Sequence, residues 1–267
     1  MNPDTSPELI DIAVNFTDKA FAPDRREVLA RAADAGVTAV VIPGSTLAES
    51  EAALELCQQH PRQLFCTAGI HPHYARDFNS DSLISLKELC KEPAVRALGE
   101  TGLDFNRNFS TPEQQLRAFE QQLELACETG MPLLMHERDA HQAFIERVKA
   151  HRDHLSRAVL HCFTGSREAL FACLDLDLHI GITGWICDER RGEHLKPLVR
   201  NIPANRLMLE TDAPYLLPRD LRPKPKSRRN EPCLLPHVAQ RVADCRGETL
   251  AQLAAATTAT ARAFFDL

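Results

Sequence analysis

Two histidines and two carboxylates stand where apolar runs end: Glu100 in LGETGLD, His136 in LLMHERDA, His161 in VLHCFTG and Asp212 in LETDAPYL. Imidazole nitrogens and carboxylate oxygens converging on one point bind one or two divalent cations, and a cation so held polarises a phosphoryl or carbonyl group and activates water. A single such residue at a strand end is ordinarily a loop hydrogen-bonder. Four of them, closing four of the last five apolar runs, have no packing explanation, because nothing in an apolar interior requires ionisable groups. Arginines accompany them. Arg138 lies two residues past His136, and Arg107, Arg190 and Arg191 also follow apolar runs; a guanidinium fork suits phosphate oxygens. The segment 219–229 (RDLRPKPKSRR) carries six Lys or Arg and one Asp in a chain of formal charge −6. Such a run is commonly a solvated loop, but its place directly after Asp212 favours phosphate steering.

The elements that must position these groups read as eight apolar, β-branched-rich runs at 9–14, 37–42, 64–68, 95–98, 132–135, 158–160, 178–182 and 207–209. Segments of helical periodicity alternate with them at 24–36, 47–60, 80–91, 112–130, 139–155, 167–176, 188–201 and from about 234 onward. The clearest helix has Ser110-Thr111-Pro112-Glu113 as its capping signal, Leu116, Phe119, Leu123 and Cys127 on one face, and Gly130 at its end. A last pair of helices, split near Gly247, reads as a cap on the exterior. Continuously apolar strands imply a parallel sheet covered on both faces, and eight βα repeats imply a closed (β/α)8 TIM barrel of class α/β, one domain over 1–267 with a frayed extension at 1–8. No run is followed by a GxGxxG or GxxxxGK[ST] loop, which weighs against a dinucleotide or P-loop site. In a barrel of this kind catalytic groups come from strand C-termini, where Glu100, His136, His161 and Asp212 fall.

The net negative charge excludes a protein that coats nucleic acid through bulk positive charge. The nine cysteines are widely spaced and never form CxxC, so most are expected to be small buried hydrophobes in a reducing cytoplasm. The start MNPDTSPELID lacks a basic and an apolar region of the secretory kind, and no apolar run approaches the ~18 residues of a membrane span.

The stretches GIHPHYA, GETGLDFNRNFSTPEQQ, PLLMHERDA, LHCFTG, IGITGWICDERRG and LMLETDAPYLLPRDLRPKPKSRRNEP together resemble the TatD family of metal-dependent deoxyribonucleases over nearly the whole chain. The resemblance implies an amidohydrolase-like barrel that cleaves DNA phosphodiester bonds as a cation-requiring 3′→5′ exonuclease. It implies Glu100 as bridging carboxylate, His136 and His161 as ligands of one metal, and Asp212 as a ligand of the other that also orients or deprotonates water. Glu100 and Asp212 are thus the expected catalytic pair, with His71, His73 and Arg138 on the substrate side, since the third strand supplies no ligand in the family pattern. The first strand departs from that pattern: Asp11-Ile12-Ala13-Val14-Asn15 has Ala13 and Asn15 where many members of the group carry a His-x-His pair. With only the Asn15 amide oxygen in their place, the second site is expected to be oxygen-dominated and weak, best suited to Mg²⁺, beside one tight site; Mn²⁺ and Zn²⁺ are the alternatives. The expected protein is a cytoplasmic monomer acting on single-stranded or frayed DNA, with RNA as an alternative substrate. Trp185, Tyr74 and Tyr215, all in post-strand segments, read either as base-stacking platforms or as core. Two rival readings use the same residues: a small-molecule amidohydrolase or esterase, and a catalytically weak, metal-dependent nucleic-acid-binding protein.

Overall fold

The computed structural model describes residues 7–267. Strands β1 (Leu9–Asp11), β2 (Val37–Ile42), β3 (Leu64–Ala68), β4 (Val95–Asp104), β5 (Leu133–Arg138), β6 (Ala158–Leu160), β7 (His179–Ile182) and β8 (Leu207–Leu209) pair in chain order, all parallel. Beyond β1 the chain turns back toward the end of β8. There Ile12 N–H donates to the Leu209 carbonyl (3.2 Å), Asp212 N–H to Ala13 (2.9 Å) and Asn15 N–H to Ala213 (2.8 Å), and these contacts bring the sheet into a nearly closed barrel. The eight expected runs are therefore the eight strands. Helices α1 (Arg25–Asp34), α2 (Leu47–Gln59), α3 (Ser80–Leu89), α4 (Pro112–Thr129), α5 (His141–His151), α6 (Arg167–Asp175), α7 (Leu195–Leu198), α8 (Leu235–Arg246) and α9 (Leu250–Phe265) follow the strands around the outside.

Two apolar layers result. One lies between strands and helices and holds most of the buried side chains. The other fills the barrel: Ile10, Ile12, Ala39, Val41, Ala97, Leu134, Val159 and Met208 point inward and meet Ala261, Phe264 and Phe265 of α9. Each phenylalanine so buried contributes roughly 1.5–3 kcal/mol. With α9 filling the floor, open space inside the barrel remains only at the C-terminal ends of the strands.

Three local departures have physical causes. The buried face of α4 is turned toward Gln115, Ala118, Phe119, Gln122 and Leu123, while Leu116 and Cys127 are only half-buried. Gln115 accepts from Asp104 N–H (2.8 Å) and Gln122 from Ile70 N–H (2.9 Å), so the helix spends two of its inward positions holding the barrel mouth. Of the helix expected over 188–201 only the single turn α7 and a 3-10 turn at Val199–Asn201 form, and a separate 3-10 turn at Gly184–Cys187 precedes them. A Cβ on Gly192 would stand 1.9 Å from the Trp185 carbonyl, and Pro197 has no N–H to give a helix. Of the frayed extension expected at 1–8, residues 1–6 lie outside the described residues, and Glu8 is not frayed: its side chain accepts from the Thr38 hydroxyl (2.7 Å) and its carbonyl from Thr258 (2.8 Å). All nine cysteines are free, four of them buried and five half-buried, so the buried expectation holds for fewer than half.

The basic segment 219–229 is fastened at both ends. Arg219 lies against Asp188 (3.6 Å) and Glu189 (3.4 Å). Arg229 pairs with Asp24 (2.7 Å) and Glu231 (2.7 Å), and Arg31 closes the network on Glu231 (2.8 Å). The Arg229 guanidinium holds the Asp24 carboxyl down at about 2, below its ordinary 3.8. A depressed carboxylate contributes stability that is complete above its unfolded pKa and lost as pH falls through the folded one. Arg229→Gln should therefore lower stability by about 1 kcal/mol near neutrality, with the gap to the parent closing between about pH 4 and pH 2. Urea midpoints across that range check it, and a gap that does not narrow would assign the loss to something other than the ion pair.

Candidate metal centre

Inward parity explains which residues reach the mouth. Side chains alternate along a strand, so the residue two beyond each core residue points the same way: His136 stands above Leu134, His161 above Val159, and Glu210 above Met208. Glu100 does not follow this count from Ala97. It is turned inward where the pairing of β4 with β5 shifts register between Leu98 and Thr101. Gly99 (φ 133°) and Gly102 (φ 141°) make that shift possible, for a Cβ would lie 2.2 Å from the Leu134 carbonyl at the first and 1.9 Å from the His136 carbonyl at the second. The two glycines thus set Glu100 and Asp104 directly beside β5 and its histidine.

Three imidazoles converge on one oxygen. Glu100 Oε1 lies 2.8 Å from His161 Nε2, 3.2 Å from His71 Nε2 and 3.3 Å from His136 Nδ1. Burial would raise the carboxyl's pKa, but His161, His71 and His136 outweigh it and hold Glu100 well below the usual range. For His161 burial works against the charged ring, and Glu100 with Glu210 overcomes it, raising its pKa well above the ordinary value.

The far nitrogen of each ring decides its chemistry. His161 Nδ1 meets Glu210 Oε2 at 3.2 Å and Nε2 meets Glu100 Oε1 at 2.8 Å, so each nitrogen of the charged ring donates to a carboxylate; a cation at Nε2 would take the place of that proton while Nδ1–H stays on Glu210. His136 Nε2 faces Asp104 Oδ2 at 3.5 Å without completing a hydrogen bond, while its Nδ1 lies 3.3 Å from Glu100 Oε1. His71 is arranged the other way round. Its Nδ1 accepts the His73 backbone N–H (3.1 Å), which puts the proton on Nε2, and burial lowers its pKa to about 4, so the neutral ring donates to Glu100. By distance, His71, Glu100 and His136 form a possible ligand trio, their donor atoms within 4.8 Å of one another. By the carboxylate that stands behind each ring, Glu100, His136 and His161 are the set that fits a divalent cation. With the cation in place of the protons that now face Glu100, two imidazole nitrogens and one ionised carboxylate would be the donors such an ion takes.

Asp212 and Asn15 line the same cavity of about 400 Å³. Asn15 Nδ2 donates to Asp212 Oδ1 (3.0 Å) and lies 3.4 Å from the Ala213 carbonyl, so the amide turns its N–H face, not the expected oxygen, toward the carboxylate. Ala13 is fully buried. Burial raises the Asp212 carboxyl to about 7, with Glu100 and Glu210 adding to the shift and His161 and Asn15 opposing it. His73 Nε2 sits 2.8 Å from Asp104 Oδ2 and meets Phe109 edge-on, 4.8 Å between centroids. Arg138 and Arg107 face the cavity, and the Arg138 guanidinium lies over Trp185 at 5.2 Å. Trp185 is almost wholly buried, with Arg191 on its ring (4.1 Å), whereas Tyr74 and Tyr215 are exposed at the rim. Arg190 and Arg191 are engaged by Asp188 (both 3.1 Å).

Asp104 and Glu210 are the carboxylates behind His136 and His161 that motif reading passed over. Both lie inside quoted motifs, GETGLD and LETDAP, and Glu210 was reachable by counting two from an inward Met208. Its place depends on Gly181, where a Cβ would stand 2.7 Å from Glu210 Oε1.

The model of the TatD-related DNases matches residues 10–266. The chain is 53 % identical over 259 residues, 97 % of its length and 100 % of the relative's, to a protein of Erwinia amylovora named 3′-5′ ssDNA/RNA exonuclease TatD. It is 52 % identical to a protein of the same name from Shigella flexneri, across 97 % of this chain and 99 % of that one. Among solved structures, a TatD homologue of Escherichia coli K12 superposes with a TM-score of 0.88 at 26 % identity, covering 98 % of this chain and 100 % of that one.

Glu210→Gln keeps the shape of the buried side chain and removes the charge that orients His161. Cation affinity should fall about 10–100-fold in a calorimetric Mn²⁺ titration, with the far-UV spectrum unchanged. Equal affinity in parent and variant would take Glu210 out of the centre.

Proposed function

The chain belongs to the family of TatD-related DNases, and from that premise we propose that it is a metal-dependent exonuclease removing nucleotides from the 3′ end of single-stranded DNA or RNA. The observation that carries the reading is the pair of histidines on Glu100, each backed by a buried carboxylate and opening into a cavity ringed by arginine. A divalent cation there supplies Lewis acidity, polarising the phosphoryl group and acidifying water. Mg²⁺ is the proposed physiological ion, with a tighter site at Glu100, His136 and His161 and a weaker one near Asp212.

The chain's own residues supply the rest. Arg138, kept in place by Trp185, and Arg107 neutralise the non-bridging oxygens of the bound phosphate. Asp212 holds Oδ1 on Asn15, so Oδ2 is the oxygen that takes a proton from attacking water. His71 donates its Nε2 proton to Glu100 and keeps that carboxylate aimed. Tyr74, Phe109 and Tyr215 are the exposed aromatic surfaces around the mouth, and stacking on them suits unpaired bases of any sequence. A mouth surrounded by loops admits a flexible strand more readily than a duplex. Among the described residues no helix is long and apolar enough to cross a membrane; a cytoplasmic monomer is the setting we propose.

Single-stranded DNA labelled at either end, incubated with Mg²⁺ or Mn²⁺, should be shortened from its 3′ end to mononucleotides, and EDTA should stop the reaction. His161→Ala, His136→Ala and Asp212→Asn should reduce the rate to background while the melting curve stays cooperative. Nicking of closed circular duplex at a comparable rate would make the protein an endonuclease instead, and turnover after exhaustive chelation would remove the metal reading.

Lys224, Lys226 and Arg228 are exposed between the fastened ends of the basic segment, where they can meet a phosphate backbone, while the exposed Arg222 donates to the Leu221 carbonyl (2.7 Å). Replacing Lys224, Lys226 and Arg228 by Gln should raise KM with little change in kcat and flatten the salt dependence of KM by about two to three contacts. An unchanged salt slope would mean the segment is only a solvated crossing.

A further inference from the structure

A second cavity, of about 560 Å³, lies at the other end of the barrel from the metal centre. Its polar walls come from the residues that enter the strands: Arg157 just before β6, His179 at the start of β7 and Arg206 just before β8, joined by Arg152. Its apolar wall is α9, where Ala256, Ala259 and Ala263 leave a flat, shallow face beside Phe264.

The charge on this wall is unbalanced. Three lining guanidiniums stand against two carboxylates, of which Asp177 pairs with Arg206 (Nε to Oδ1, 2.7 Å) and with Arg152 (3.6 Å). Arg157 reaches away to Asp266 (3.0 Å) and to the Ala263 carbonyl. Two buried polar atoms of lining residues have no hydrogen-bond partner among the described residues: Arg157 Nε and His179 Nδ1. His179 is 9 % exposed, and its ring meets Phe264 edge-on at 4.9 Å. Burial, helped by Arg206 and opposed by a contact with the Ala158 backbone, lowers its pKa to about 4, so the ring is neutral, with one nitrogen that donates and one that accepts. Buried polar groups are paired in nearly all folded proteins, and leaving one unpaired costs about 1–3 kcal/mol. Two such atoms on residues that line one cavity, with three guanidiniums against two carboxylates on one side and a flat apolar wall on the other, describe the complement of an amphiphilic anion. Arginine forks on several sides suit the several oxygens of a phosphate better than the two of a carboxylate, and the volume lies within the range of small-molecule sites.

We propose that this cavity binds a phosphate monoester carrying a flat apolar body, the phosphate on Arg157 and Arg206 with His179 Nδ1, the body against the alanine face of α9. The site shares no residue with the metal centre, so it stands or falls independently of the nuclease reading.

The test uses the full chain labelled with ¹⁵N-histidine, in EDTA, titrated with deoxyadenosine monophosphate as a probe that has both parts. The His179 ring signals should shift saturably with a Kd below about 1 mM. Deoxyadenosine, lacking the phosphate, and inorganic phosphate, lacking the body, should each bind at least about tenfold more weakly. Ala259→Trp, at an exposed position of α9, fills the cavity and should abolish the shift while leaving the metal-dependent cleavage rate unchanged; Arg157→Gln should weaken it about tenfold. The proposal is overturned if the shift persists in Ala259→Trp or if either fragment binds as tightly as the whole probe. It is equally overturned if a crystal soaked with the probe shows only water between Arg157 Nε and His179 Nδ1.

Discussion

The arrangement at the barrel mouth depends on one buried negative charge. A carboxylate shut away from water is tolerated only when the groups around it compensate, and three imidazoles on Glu100 Oε1 do so. Each ring must then be told which nitrogen to present, and that instruction comes from behind: Glu210 for His161, Asp104 for His136, the His73 backbone for His71. Those partners are held in turn. Asp104 N–H is fixed by Gln115 of α4, and Glu210 accepts from the Cys162 backbone N–H. Orientation therefore propagates outward from one oxygen through two shells of hydrogen bonds to the helix layer.

A consequence for energetics is that these polar contacts contribute little net stability and much definition. A buried ionic cluster gains about as much in Coulomb energy as it loses in hydration, while loss of a single member strands its partners. Stability comes instead from the apolar layers, the inner one a column of strand side chains closed by Phe264 and Phe265, and the outer one between strands and helices. The molecule separates the two tasks along the barrel axis, packing at one end and poised charge at the other.

Much of this was legible in the chain. The alternation of β-branched runs with amphipathic segments marks all eight strands, four of them to the residue, because a strand buried on both faces must be continuously apolar and short. The positions of Glu100, His136, His161 and Asp212 at strand ends were equally plain. What could not be read was proton placement: nothing in LHCFTG says that Glu210 stands behind His161 Nδ1 from 49 residues away, and nothing in GIHPHYA says that the His73 backbone N–H fixes the His71 proton on Nε2, since each follows only from the folded backbone. The inward turn of Glu100 was hidden because it arises from a register shift that two glycines permit, against the simple alternation. The broken segment after β7 misled by composition: charged and apolar residues at helical spacing mimic a helix, while Gly192 packs on the Trp185 carbonyl and Pro197 has no N–H to return to Glu193, so only a single turn forms.

The packing of α9 into the barrel floor carries a consequence for biogenesis. The helix that supplies Phe264 and Phe265 to the inner column is also the one whose Thr258 hydroxyl bonds the Glu8 carbonyl beside the first strand. Contacts between such distant segments form late, because loop-closure entropy opposes them until most of the chain is assembled. On the ribosome every strand emerges before the residues that seal the interior, so the nascent barrel passes through a stage with its apolar lumen open to water and to chaperones. A message cut short ahead of codon 250 would yield a chain with its strands and metal ligands intact but no floor, marked for proteolysis by the surface it cannot bury.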